Sequence, residues 1–172
     1  FKTMRGRGGV VEDIRVSNIV MHNIIEEGIV FNMRYQKTNL EPLSERTPTF
    51  RDINLSGICI SSAKKGISFS GLEERNIEQV SFSDISIEAS SGIEGQYAQN
   101  LIFENIRIKS KSLFPVNLDK CKHVTISGLQ LTSPLQNSTY FNLNDCQNLR
   151  ISDCFLSDEI DTFLKFNENC SN

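Results

Sequence analysis

The chain has 172 residues, a net charge of −3, 38% hydrophobic and 23% charged residues, a balance that fits one folded unit rather than a disordered tail or two domains. No stretch is long and apolar enough for a membrane helix, no signal-peptide pattern opens the sequence, and the negative charge argues against nucleic acid as the main partner. Five cysteines without a Cys-x-x-Cys pair signal neither a zinc site nor a full disulfide framework.

Taken in chain order, the first nine residues are Phe-Lys-Thr-Met-Arg-Gly-Arg-Gly-Gly, a glycine-rich turn carrying Arg5 and Arg7. Those arginines can reach a carboxylate or face water. Then comes Ile14–Met21, apolar-x-apolar-x-(Asn/Asp/Gly)-apolar-x-apolar, and the pattern returns at Ile53–Ile60, Val80–Ile87, Leu101–Ile108, Val124–Leu131 and Leu149–Leu156. Alternation at period two marks a strand with one buried face. The fifth residue (Asn18, Gly57, Asp84, Asn105, Gly128, Asp153) interrupts that alternation with a type that tolerates a left-handed backbone, so it reads as a corner between two short strands. Self-similarity at 21 to 39 residues means a solenoid.

A third alternating segment follows most corners: Ile29–Met33, Ile67–Phe69, Phe114–Leu118, Phe141–Leu143 and Leu164–Phe166. Three strands per turn with parallel neighbours make a right-handed parallel β-helix, all-β, of about six coils. Residues 1–172 are read as the C-terminal part of such a domain, and the third residue of each repeat (Val16, Leu55, Phe82, Phe103, Ile126, Ile151) is expected to point inward. Pro115 should spoil its rung, because proline lacks the N–H a ladder needs. Ser90–Gln96, with two glycines, reads as a loop with at most a short strand. Cys121, Cys146 and Cys170 recur at matching places, as a ladder of small buried side chains would. The segment from Arg34 to about Thr49 is the longest loop, and loops of that length commonly wall a binding site.

Little in the chain itself looks like an active site. His22 and His123 are far apart and read as surface or satisfied core, and Glu26 and Glu27 as solvated loop charges. Asp119, Asp145 and Glu168 fall at nearly corresponding positions in successive coils, which repetition alone explains. No acid cluster suits calcium.

Four stretches carry a family resemblance: Phe1-Lys2-Thr3, Arg5-Gly-Arg-Gly-Gly-Val-Val-Glu-Asp-Ile, Val16-Ser-Asn-Ile-Val-Met and Gly28-Ile-Val-Phe. Together they resemble glycoside hydrolase family 28, the polygalacturonases and related pectin-backbone hydrolases. The likeness is dense over residues 1–35 and looser beyond. It implies inverting hydrolysis of galacturonosyl linkages in a secreted or periplasmic enzyme, monomeric when intact, acting on acidic pectic polysaccharide without metal or other cofactor. The family's Arg-apolar-Lys motif maps onto Lys2, with the Arg position lying before Phe1, and its cleft tyrosine onto Tyr35. These two are the expected substrate-binding residues. The family's catalytic aspartates, in Asn-Thr-Asp and Asp-Asp motifs, and its Gly-His-Gly histidine have no match in this sequence, so no catalytic residue is assigned and the chain alone is expected to be inactive. The competing expectation is a non-catalytic β-helix of the tailspike or adhesin kind, for which the repeats alone suffice.

Overall fold

The corners set the path of everything else. In the computed structural model, which describes residues 1–35, 41–155, 160–167 and 170, all six adopt a left-handed backbone. The φ angles are 58° at Asn18, 60° at Gly57, 54° at Asp84, 54° at Asn105, 65° at Gly128 and 54° at Asp153. A second left-handed column, not readable as a motif, precedes the repeats at Asp13, Asp52, Gln79, Asn100, His123 and Asn148, with φ between 51° and 56°. Each repeat is therefore clamped by a turn at both ends of its first strand.

The strands between these turns are β1 (Val10–Val11), β2 (Ile14–Asn32), β3 (Thr49–Phe50), β4 (Ile53–Ser70) and β5 (Ile77–Ser110). They continue as β6 (Val116–Ser127), β7 (Gln130–Leu131), β8 (Ser138–Asn144), β9 (Gln147–Ser152) and β10 (Ile160–Phe166). Every pairing between them is parallel, and no helix occurs among the described residues. The register repeats the sequence pattern: Ile14 pairs with Ile53 and Ile53 with Val80, while Leu101 pairs with Val124 and Val124 with Leu149. The chain is an all-β, right-handed parallel β-helix.

About four turns are complete, against six corners. The shortfall lies at the C-terminal end, where the second strand of the fifth repeat shrinks to Gln130–Leu131. In the sixth repeat that strand is a single bridge from Phe155 to Gln130, and Leu156 lies outside the described residues.

The core is a set of columns of like residues. Leu55, Phe82, Phe103 and Ile126 are buried, whereas Val16 and Ile151, on the outermost repeats, are only half-buried. Phe82 stacks on Phe103 with ring centroids 4.8 Å apart and planes 5° from parallel. Phe1 stacks on Phe31 at 4.5 Å. Both spacings match the rung separation of about 4.8 Å, so identical residues in neighbouring coils meet face to face and offset stacking adds to their burial.

Two expectations fail here for the same reason: a contact supplied by another coil decides local structure. Ser90–Gln96 is not a loop. It lies inside β5, and Ile93–Gln96 pairs with Ile67–Ser70 on one side and Val116–Asp119 on the other. Its glycines serve close approach, since a Cβ at Gly95 would land in the Phe69 ring. Pro115 does not spoil its rung either, because β6 starts one residue later and the Pro115 carbonyl accepts from Ile93 N at 2.9 Å. The cysteine ladder is present: Cys121 and Cys146 are buried, Cys146 N donates to the Cys170 sulfur at 3.3 Å, and all five cysteines are free thiols.

Candidate functional site

The outward side chains of the third-strand face form a polar row. Lys2 bridges to Asn32, Asn32 pairs with Ser70, Ser70 with Gln96, Gln96 with Asp119 and Asp119 with Asn144. The alternation that sends Phe1, Phe31 and Phe69 inward sends their neighbours Lys2, Asn32 and Ser70 outward. A groove of about 470 Å³ runs along this row, and Glu27, Glu94 and Asp119 with Lys65 add charge to its lining.

Lys2 and Tyr35 meet at one end of the row. Lys2 is exposed, and its Nζ lies 5.2 Å from the centroid of the half-exposed Tyr35 ring. The Arg7 guanidinium lies 6.0 Å from the same centroid. The glycines around Arg7 hold it there: Gly6 N and Gly8 N both donate to the Arg46 carbonyl, at 3.1 and 2.8 Å. Gly6 and Gly8 have φ of 86° and 65°, which side chains rarely adopt. Strand pairing of Val10–Val11 with Thr49–Phe50 ties this turn to the end of the long loop. The part of that loop spanning residues 36–40 lies outside the described residues.

The two arginines of the turn, equivalent in the sequence, separate here. Arg5 makes a fork to Glu74, Nε to Oε1 at 2.6 Å and Nη2 to Oε2 at 2.9 Å, with both side chains largely covered. Its hydrogen bonds hold the Glu74 carboxyl below the usual carboxylate range, against a smaller opposing effect of burial. Arg5 fastens the turn to the coil two rungs away; Arg7 faces the Tyr35 ring.

Further along, Tyr97 lies between two cations. The Arg34 guanidinium is 5.5 Å and the Lys120 ammonium 5.1 Å from its ring centroid, and Lys120 Nζ donates to the Tyr97 hydroxyl at 3.0 Å. That hydrogen bond pushes the Lys120 pKa up. Sequence reasoning missed this cluster. Tyr97 and Lys120 come together only through the register of Gln96 on Asp119, which the reading of Ser90–Gln96 as a loop concealed.

The carboxylates do not form the row suggested by the repeats. Asp119 pairs with Asn144 rather than Asp145 and accepts from Asn144 Nδ2 at 2.5 Å, while Asp145 sits one residue on, in a left-handed turn. Glu168 lies outside the described residues. Glu94 pairs with Lys65 at 2.8 Å. Burial opposes its ionisation, but hydrogen bonds from Lys65 and Ser91 outweigh that and keep its carboxyl below the usual range. Glu26 is an exposed partner of Lys64 at 2.8 Å, and Glu27 borders the groove. His22 is exposed beside Ser61 Oγ at 2.5 Å, and His123 occupies an exposed corner.

The described residues thus form a β-helix with a polar groove across its third strands and, beside it, two cations over the Tyr35 ring. Residues 1–100 match the model of glycosyl hydrolases family 28, and the chain belongs to that family. No curated protein and no solved structure matches it.

Proposed function

We propose that this chain forms one wall of the cleft of a polygalacturonase-like hydrolase, secreted or periplasmic, acting on the acidic backbone of pectic polysaccharide. The Lys2 ammonium and the Arg7 guanidinium pair with the carboxylate of one galacturonate, while the Tyr35 ring packs on the apolar face of the same sugar. The acids that invert the anomeric centre come from the family's Asn-Thr-Asp and Asp-Asp motifs, which this sequence lacks. The observation that carries the reading is the convergence of Lys2 and Arg7 on Tyr35, at 5.2 and 6.0 Å, in a chain of family 28. Two cations over one aromatic ring repel each other, and an anion between them relieves that repulsion.

Calorimetric titration of the protein with a galacturonate dimer and with the neutral galactose dimer tests it. The acidic dimer should bind at least tenfold more tightly, and the difference should shrink as salt rises. Equal affinity for both sugars would overturn the reading, and so would binding of neither, which is also what a tailspike-like structural module would give.

A further inference from the structure

Left-handed backbone positions in this chain are held mostly by Asn and Asp, the residues suited to them. Tyr97, at φ 54°, and Lys120, at φ 51°, are not suited, yet they occupy the same turn in neighbouring coils, in the row Gly71, Tyr97, Lys120, Asp145. Bulky side chains in that conformation are uncommon, and strain of this kind collects where function needs it. Packing does not call for them. The Tyr97 ring is only half-buried and lies against cations rather than in the core.

Beside the ring is a hollow of about 180 Å³, room for a single sugar, lined by Tyr97, Lys120, Lys122 and Gln147 together with Glu73 and Asp145. Arg34, 5.5 Å from the ring centroid, is anchored by its Nε on the Gly71 carbonyl at 3.2 Å. Arg34, Lys120 and Lys122 lie in this neighbourhood, with Glu73, Glu74, Asp119 and Asp145 as the acids near them. Among the described residues none of the three cations forms an ion pair within 4.0 Å, and Lys120 hydrogen-bonds the Tyr97 hydroxyl. Three rungs separate Lys2 from Gln96, roughly 14 Å along the axis. A linked pyranose advances a polysaccharide by about one rung, and the groove lined by Asn32, Ser70 and Gln96 lies on the same face, next in the ladder to Lys2 and next in sequence to Tyr97.

We infer that Tyr97, flanked by Arg34 and Lys120, is a second binding site for an acidic sugar, three to four residues along the same polysaccharide from the one at Lys2. The inference rests on the pectic reading above. Lys120 and Arg34 pair with its carboxylate, and the exposed part of the Tyr97 ring packs against the sugar. The site reads chain length: a short oligomer reaches Lys2 alone, and a longer one reaches both.

The test uses the protein with a galacturonate dimer, a galacturonate hexamer and a neutral galactose hexamer, each titrated into wild type, Tyr97→Asn, Lys120→Asn and Lys2→Ala. Asn keeps the left-handed turn, so folding is preserved, and circular dichroism checks it. The acidic hexamer should bind wild type at least tenfold more tightly than the dimer. Tyr97→Asn and Lys120→Asn should abolish that gain while leaving dimer affinity within twofold, and Lys2→Ala should weaken both oligomers. Unchanged hexamer affinity in the Tyr97 and Lys120 variants, with Lys2→Ala still weakening both, overturns this inference and leaves the reading of the Lys2 site standing. An equal gain for the neutral hexamer overturns the acidic-sugar assignment. Absence of binding by either acidic oligomer brings down the reading and the inference together.

Discussion

The ammonium of Lys2 lies 5.2 Å from the centre of the Tyr35 ring, although 33 residues and one full coil separate them in sequence. The contact follows from the ladder. Phe1 stacks on Phe31 inside the helix, which fixes Lys2 over Asn32 outside it, and Tyr35 lies three residues past Asn32 at the mouth of the long loop.

From that relationship, Lys2→Ala in the hydrolase should lower kcat/KM on polygalacturonate by roughly ten- to a hundredfold. A charge-assisted hydrogen bond contributes about 1.5–3 kcal/mol. Tyr35→Ala should act in the same direction and more weakly, because ring and cation share one sugar. Neither side chain is in the core, so thermal midpoints should hardly move. Activity within twofold of wild type in both variants would remove them from the working cleft.

The Arg5–Glu74 pair makes the turn that presents Arg7 sensitive to pH. The Glu74 carboxyl titrates lower in the folded chain than in the unfolded one, whose ordinary value is 4.5. The unfolded state therefore takes up the proton first, so the stabilisation is complete above about pH 4.5 and is lost as pH falls through the folded value. Screening limits it to about 0.5–1 kcal/mol. Urea midpoints measured from pH 7 to pH 3 should fall less steeply in Glu74→Gln than in wild type. Parallel curves would mean that the fork is neutral to folding.

Corners offer the sharpest contrast in stability. Asn105 holds φ at 54° and donates to Asp84 Oδ1 at 3.2 Å on an exposed surface. Asn105→Gly should change stability by less than about 0.5 kcal/mol, since glycine accepts that backbone freely. Asn105→Val should cost about 1–2 kcal/mol, the penalty of a left-handed conformation for a branched side chain. One coil face away, Phe82→Ala should cost about 3–5 kcal/mol through loss of burial and of its stack on Phe103. If the two Asn105 variants melt together, the corner conformation is not what selects the residue.

The same residues show how far the sequence could be read. Asn18, Gly57, Asp84, Asn105, Gly128 and Asp153 were legible as corners because their chemistry matches a left-handed backbone. The second column was not, although Asp13, Asp52, Asn100 and Asn148 share that chemistry, because it lies outside the apolar repeat that marks the corners. Ser90–Gln96 looked like a loop because its glycines are read one coil at a time, whereas the Phe69 ring that occupies the space over Gly95 comes from the coil before. For the site, Lys2 and Tyr35 could be carried over from the family pattern. Tyr97 could not, because its partners Arg34 and Lys120 meet it only through register. The false row of Asp119 and Asp145 came from the same gap, a shift of one residue that moves a side chain from strand to turn.

The chain by itself should release no reducing ends from polygalacturonate above a blank. Inverting hydrolysis needs a protonated carboxyl at the glycosidic oxygen and a second carboxylate to activate water, about 6.5–9.5 Å apart. The general acid must titrate high. Among the described residues the groove offers Glu27, Glu94 and Asp119. Glu94 is held below the usual carboxylate range by Lys65 and Ser91 despite its burial, so it carries no proton at neutral pH. Asp119 accepts a hydrogen bond from the Asn144 amide. Glu27 lies on the strand edge of the groove beside Lys65, its partner across the ladder. Lys65 and Ser91 thus favour charge on Glu94, the reverse of what a proton donor requires. A reducing-sugar assay on the purified chain, run beside Glu94→Gln and Asp119→Asn, decides the matter. Release above the blank that disappears in either variant would move the catalytic acids into this groove and defeat their assignment to motifs outside this sequence.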